Sequence, residues 1–157
     1  MDENPHSATS NALDPSALRM IDANRNRAAE GLRIAEDYCR FSLGDRHLTE
    51  HCKQLRHDLT TALAAIPPLA LLAARETQQD VGTTVSTPQE GSRTSLASIA
   101  AAAWHRVQQA LRVIEECLKL SDSRAAAAIE ALRYRSYTLA KASAIAADSQ
   151  LRLAAAR

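Results

Sequence analysis

Aromatic side chains make up only 3% of this 157-residue chain, so its interior has to be assembled from Leu, Ile, Val and Ala, which favours closely packed helices. Glycine is scarce too: Gly31, Gly44, Gly82 and Gly91 are too scattered for a Gly-x-x-x-x-Gly-Lys-Ser/Thr phosphate loop. Neither charge sign dominates, and a net charge of +1 gives no general attraction to nucleic acid or to a membrane. No apolar run approaches the roughly 18 residues of a membrane span, and the polar stretch Met1–Asn11 lacks the character of a signal peptide. The cysteines, Cys39, Cys52 and Cys117, are odd in number and show no Cys-x-x-Cys spacing. That argues against a disulfide framework or zinc knuckle and for reduced core thiols in a cytoplasmic protein.

What the chain does contain is an internal repeat. Arg27-Ala-Ala-Glu-Gly-Leu-Arg-Ile-Ala-Glu-Asp aligns with Arg106-Val-Gln-Gln-Ala-Leu-Arg-Val-Ile-Glu-Glu at an offset of 79 residues, with Arg, Leu, Arg and Glu in register. Each copy is followed by a second helical segment with a Leu-Arg pair, Leu55-Arg56 and then Leu132-Arg133. A repeat unit of that kind is a helical hairpin. The expected fold is therefore all-α, a bundle of two pseudo-symmetric hairpins with four main helices, joined by a long functional loop.

Local signals set the expected boundaries. Residues 1–13 read as a disordered N-terminus, residues 14–147 as one helical domain, and residues 148–157 as a helical tail or linker. Asp14-Pro15 is a strong helix start, and the first helix is expected to run from Pro15 to Phe41. The second carries an apolar seam of Leu48, Cys52, Leu55, Leu59, Ala62 and Ile66 and closes at Pro67-Pro68. Leu69–Ala74 is expected as a short apolar turn. The stretch 75–93 is the least helical of the chain, and a loop of that length is functional or disordered. The third helix is expected from near Ser95 to Leu120. The fourth follows Ser121-Asp122-Ser123 with a seam of Ile129, Leu132, Ser136, Leu139, Ser143 and Ala146.

On a helical wheel Arg27 and its repeat equivalent Arg106 each fall within the edge of an apolar face, about 50° from its centre. A pseudo-two-fold bundle would bring both toward a shared interior. A guanidinium withdrawn from water must meet carboxylates or an anionic ligand; Glu30, Glu36, Glu115 and Glu116 are the internal carboxylates on offer. Only Lys53, Lys119 and Lys141 are lysines among the 19 basic side chains. Either phosphate recognition, which favours the arginine fork, or a base composition that enriches Ala and Arg together explains the bias. Position says more: Arg27, Arg33, Arg106, Arg112 and Arg133 recur with the repeat, while Arg75 and Arg93 bracket the long loop. Asp80 beside Gly82-Thr83 reads equally as an anion-binding turn or an ordinary one. His47 and His51 lie four apart beside Cys52 but lack a third ligand, so a solvated pair is expected. His57 and Tyr134 occupy matching places after the Leu-Arg pairs and are candidates for lining the same interior.

Several motifs in order then mark a resemblance. Asp22-Ala-Asn24, Arg27, Glu30-Gly-Leu-Arg33, Glu36-Asp37, Cys39-Arg-Phe41, Cys52-Lys-Gln-Leu-Arg-His57, Arg75-Glu-Thr77, Asp80-Val-Gly-Thr83, Arg106-Val-Gln108, Ala110-Leu-Arg112 and Leu132-Arg-Tyr134 are similar to the helical N-terminal domain of fused bacterial thiamine-phosphate synthases, a family known as a monofunctional hydroxymethylpyrimidine-phosphate kinase. The similarity covers about residues 17–140. It implies ATP- and Mg²⁺-dependent phosphorylation of 4-amino-5-hydroxymethyl-2-methylpyrimidine phosphate to the diphosphate, with a thiamine-phosphate synthase as partner in cis or in trans; repeated amphipathic helices also suit a homodimer. For that reaction Arg27 and Arg106, with Asp80, are the expected catalytic residues. Arg27, Arg106 and Arg133 would hold phosphates and Arg75 and Arg93 would close over them. Asn24, Arg33, Arg56, Gly82, Thr83 and Arg112 are the further expected binding residues, with Asn24 reading the pyrimidine. Glu30, Asp37 and Asp80 are the expected Mg²⁺ ligands. Ala103 and Gln109 stand where the family pattern carries Asn and Glu in its second repeat, counterparts of Asn24 and Glu30. That makes the second half a scaffold, or the domain an inactive one. A docking or oligomerisation module and a ligand-sensing domain are the rival functions.

Overall fold

A computed structural model describes residues 13–78, 80 and 92–156. The described residues form helices without strands: α1 (Pro15–Asp37), a single π turn (Tyr38–Ser42), α2 (Arg46–Ala62), α3 (Pro68–Ala74), α4 (Leu96–Leu118) and α5 (Ser123–Ala155). The all-α bundle expected from the repeat is what the chain forms.

Each start has a local cause. The Ser16 N–H donates to Asp14 Oδ1 at 2.7 Å with Pro15 at the first helical position. The Leu48 N–H donates to Asp45 Oδ1 at 2.9 Å to open α2. Ser95 and Ser98 form a reciprocal capping box at α4, and Asp122 caps α5 through the N–H groups of Arg124 and Ala125. Gly44, at φ 62°, supplies the left-handed residue after the π turn.

Three boundaries differ from expectation. The first helix becomes a π turn after Asp37, where the Leu43 N–H reaches back to the Tyr38 carbonyl. The second ends at Ala62, short of Ile66. The expected turn before the long loop is instead the short helix α3, opened by Pro68 at its first turn. The N-terminal 1–12 lie outside the described residues; Leu13 packs against the core. The expected tail is continuous with α5, whose Gln150 side chain donates to the Leu43 carbonyl at 2.6 Å.

α1 and α4 form the central pair, α2 lies against α1, and α5 covers α4 and α2, so each repeat is a hairpin. Ile21, Ala28, Leu32 and Ala35 on α1 and Cys39 in the π turn are fully buried and face a core shared with Val107, Leu111 and Ile114. The two central helices touch at Gly31: a Cβ there would stand 2.7 Å from Val107 Cγ2 and 3.0 Å from the Ala103 carbonyl oxygen. That contact leaves no space between α1 and α4 for guanidinium groups. Arg27 and Arg106 accordingly stand exposed at the helix edges, which corrects the shared cationic interior expected from the wheel. His57 and Tyr134 are exposed as well. All three cysteines are buried and free, and the Cys52 thiol is pushed well up by its hydrogen bond to Cys39 and by burial. His47 and His51 form an exposed edge-to-face pair.

Candidate functional site

Near the N-terminal end of α1 the helix turns three polar side chains toward the strand of chain that leaves α3. Asp22 is 4% exposed, and a carboxylate that deep needs donors. Arg75, just past the end of α3, provides them as a fork: Nε donates to Asp22 Oδ2 at 2.8 Å and Nη2 to Oδ1 at 3.0 Å. The hydrogen bond and the charge of Asp22 in turn hold the Arg75 guanidinium above its ordinary range.

One turn on, Asn24 donates through Nδ2 to the Met20 carbonyl at 2.8 Å. Its Oδ1 accepts from Arg27 Nη1 at 3.4 Å, which orients the arginine. These groups wall an open cleft of about 760 Å³ whose lining also includes Arg19, Asn26, Thr77 and Asp80. Four of the expected site residues, Asn24, Arg27, Arg75 and Asp80, therefore meet at one opening.

The cleft carries three guanidinium groups and three carboxylates, those of Asp22, Glu76 and Asp80. Such a balance suits a ligand that is itself anionic and cation-bearing better than a bare anion.

A second polar system lies deeper and follows the repeat. Glu36, 5% exposed, accepts from Arg56 Nη2 at 3.1 Å; its equivalent Glu115, 1% exposed, accepts from Arg133 Nε at 2.9 Å. Arg112 and Lys119 add donors to Glu115 at 2.9 and 3.1 Å. Burial pushes the Glu115 carboxyl up, but the hydrogen bonds from Arg133 and Lys119 outweigh it and the group lies below its ordinary range. Arg133, expected to hold phosphate, is instead a buried partner of Glu115, and Arg56 and Arg112 are likewise engaged in ion pairs.

The remaining expected residues are dispersed. Glu30, Arg33 and Arg56 line a separate opening on the outer side of the first hairpin. Asp37 is exposed, and among the described residues no group of three His, Cys, Asp or Glu side chains is placed to hold a metal. Glu30, Asp37 and Asp80 thus form no common cage, because Glu30 and Asp80 belong to different openings. Arg93 donates to the neighbouring Ser92 carbonyl at 2.8 Å and does not line the cleft. Arg106 has no ion pair among the described residues and is exposed. Gly82 and Thr83 lie outside the described residues.

Two features of these polar systems were not evident from the sequence. Asp22 sits next to Ile21 on the apolar face, and a carboxylate there was a readable sign of a buried ion pair. The Glu36–Arg56 and Glu115–Arg133 pairs were in the repeat itself, as in-register Glu and Leu-Arg, but the wheel attached the buried carboxylates to the wrong arginines.

Comparison with known proteins gives consistent matches. A model of the ThiD2 family matches residues 19–142. A thiamine-phosphate synthase of Rhodopirellula baltica is 50% identical over 127 residues, which are 81% of this chain and 34% of that protein. One from Synechocystis is 48% identical over 80% of this chain and 36% of its own length, and one from Thermosynechococcus vestitus 47% over 79% and 34%. The chain spans about a third of the length of these relatives. No solved structure matches it.

Proposed function

Because the chain belongs to the ThiD2 family, we propose that it takes part in thiamine biosynthesis as a kinase that converts 4-amino-5-hydroxymethyl-2-methylpyrimidine phosphate to the diphosphate with ATP. In this reading a phosphate oxygen of the pyrimidine attacks the terminal phosphorus of ATP, the bond to ADP breaks, and a new P–O–P link forms. The reaction requires placement of two anions and neutralisation of charge more than covalent help from protein.

The observation that carries the proposal is the convergence of Asn24, Arg27, Arg75 and Asp80 on one cleft. Arg27 is free of any carboxylate among the described residues and would bear on the migrating phosphoryl group. Asn24, whose amide is oriented by Met20 and Arg27, would read the pyrimidine edge. Magnesium fits here as a nucleotide-borne ion: it is commonly held by one or two carboxylates together with substrate phosphates, and Asp80 is among the carboxylates that line the cleft. Bound there it would neutralise phosphate charge.

The test is to incubate the pure chain with ATP, Mg²⁺ and the pyrimidine monophosphate and to measure ADP and diphosphate. Equal amounts of both are expected, and Arg27→Met should lower the rate about 100-fold or more with helicity unchanged. Failure to form ADP would overturn the kinase reading.

One observation favours a second reading. Leu69 and Leu72 on α3 and Leu151 and Leu153 at the end of α5 are 57–74% exposed, and the chain is a third of its relatives. A domain that docks on the rest of a synthase would present such side chains. Ligand binding without turnover in the same assay would support a sensing role.

A further inference from the structure

The two hairpins carry the same cations around their buried glutamates but use them differently. In the second hairpin Glu115 collects Arg133 Nε, Arg112 Nη1 and Lys119 Nζ, and the rest of the Arg112 fork goes to Glu116 at 2.8 Å. The repeat-equivalent cations in the first hairpin are Arg56, Arg33 and Arg40. Among the described residues only Arg56 reaches Glu36, and only through Nη2. Arg33 makes no ion pair or hydrogen bond among the described residues, although Asp37 stands one turn away where Arg112 finds Glu116. The Arg56 Nε, whose counterpart on Arg133 donates to Glu115, is buried without a hydrogen-bond partner.

Arg33 and Arg56 line the same opening of about 540 Å³ between α1 and α2. Two guanidinium groups at one opening offer N–H donors of the kind a tetrahedral oxyanion accepts. Position 53 reinforces the asymmetry: Lys53 stands where the second hairpin places Glu130, which ion-pairs with Arg133.

We propose that the first hairpin holds a phosphate-binding subsite, with Arg33 and the half-buried guanidinium of Arg56 as donors, distinct from the Asn24–Arg27–Arg75 cleft. Glu30 lies on the rim and opposes a bare polyanion, so the natural occupant is a phosphate group accompanied by a hydrogen-bond donor or a divalent cation. The phosphate is either free or borne by a nucleotide. The subsite does not rest on the kinase activity: a chain that turned nothing over would still bind at Arg33.

Calorimetric titration of the full chain at low ionic strength with pyrophosphate, and separately with ADP, tests this. Arg33→Met should weaken pyrophosphate binding at least about tenfold, Glu30→Gln should tighten it, and Arg112→Met, the repeat equivalent already held by two glutamates, should change it less than about twofold. Arg33 is exposed, so its replacement leaves the bundle intact, as circular dichroism would verify; Arg56 is avoided because its loss strands Glu36. Equal or tighter Arg33-dependent binding of ADP identifies a nucleotide phosphate, and binding of pyrophosphate alone identifies a free one. Absence of pyrophosphate binding, equal losses in Arg33→Met and Arg112→Met, or loss in Arg27→Met but not in Arg33→Met would overturn the proposal.

Discussion

A buried carboxylate is tolerated to the extent that donors surround it, and the two repeat-related glutamates differ in that respect. Glu115 is met by three cationic side chains and Glu36 by one. Replacing Glu115 with Gln strands the buried Arg133 and should cost about 3–5 kcal/mol, whereas Glu36→Gln, beside a half-buried Arg56, should cost about 1–3. Urea unfolding at pH 7 measures both. The folded Glu115 carboxyl lies below its ordinary range, so its stabilisation is complete above the unfolded value of about 4.3 and is lost as pH falls through the lower folded value. Wild type and Glu115→Gln should therefore converge in stability as the medium is acidified below about pH 4; a difference that stayed constant down to pH 3 would remove Glu115 as the source. The repeat made these residues visible as in-register Glu and Arg. It did not show which arginine turns inward, because the wheel places Cα atoms and a long guanidinium stem starting at a face edge can reach water. Arg27 and Arg106 do so, while Arg133, following Leu132 on α5, does not.

Among the elements, the crossing of α1 and α4 is the most extensive contact, and its close approach at Gly31 fixes where a ligand cannot go. Gly31 provides it, and Ala110, its counterpart in the repeat, is buried with a methyl group in place. Gly31→Ala would drive its Cβ to 2.7 Å from a side-chain methyl and 3.0 Å from a backbone oxygen. An overpacking cost of about 1–3 kcal/mol is expected, outweighing any gain in helix propensity. Val107→Ala removes the nearer clash but leaves the Ala103 carbonyl, so the double variant should recover part of the loss and not all of it. Full additivity of the two losses in thermal unfolding would show that the crossing is looser than the structure has it. Helix existence and seams were legible because apolar residues recur at three and four along each segment; Leu48, Cys52, Leu55 and Leu59 are all buried on α2. The π turn was not legible, since its cause is the backbone pairing of Leu43 to Tyr38 and of Asp45 to Cys39, which no residue type announces. Nor was the fork from Arg75 to Asp22, a contact across 53 positions that ties the end of α3 to α1. Asp22→Asn should loosen that tie, seen as faster amide exchange in α3, with α4 and α5 unaffected.

At the scale of the whole molecule the pseudo-symmetry stops at the cleft. With the repeat offset of 79, Asp22 corresponds to Ala101 and Asn24 to Ala103, so the second copy lacks both the buried carboxylate that anchors Arg75 and the amide that orients Arg27. It also lacks a counterpart to the chain after α3, because its second helix, α5, runs on through 33 residues where α2 has 17. The second repeat therefore supplies a rigid partner for α1 across the Gly31 crossing, and under the kinase proposal the chemistry falls to the first half. Two arginines that look equivalent in sequence should then behave unequally. Arg27→Met is expected to lower phosphoryl transfer about 100-fold or more, and Arg106→Met, exposed and facing no expected ligand, to leave it within about threefold. Nucleotide titration should show cleft binding that is lost in Arg27→Met and retained in Arg106→Met. Comparable loss of activity in both variants would mean that the halves act together, and would require an arrangement, such as a second copy bringing its Arg106 to this cleft, that a single chain does not contain.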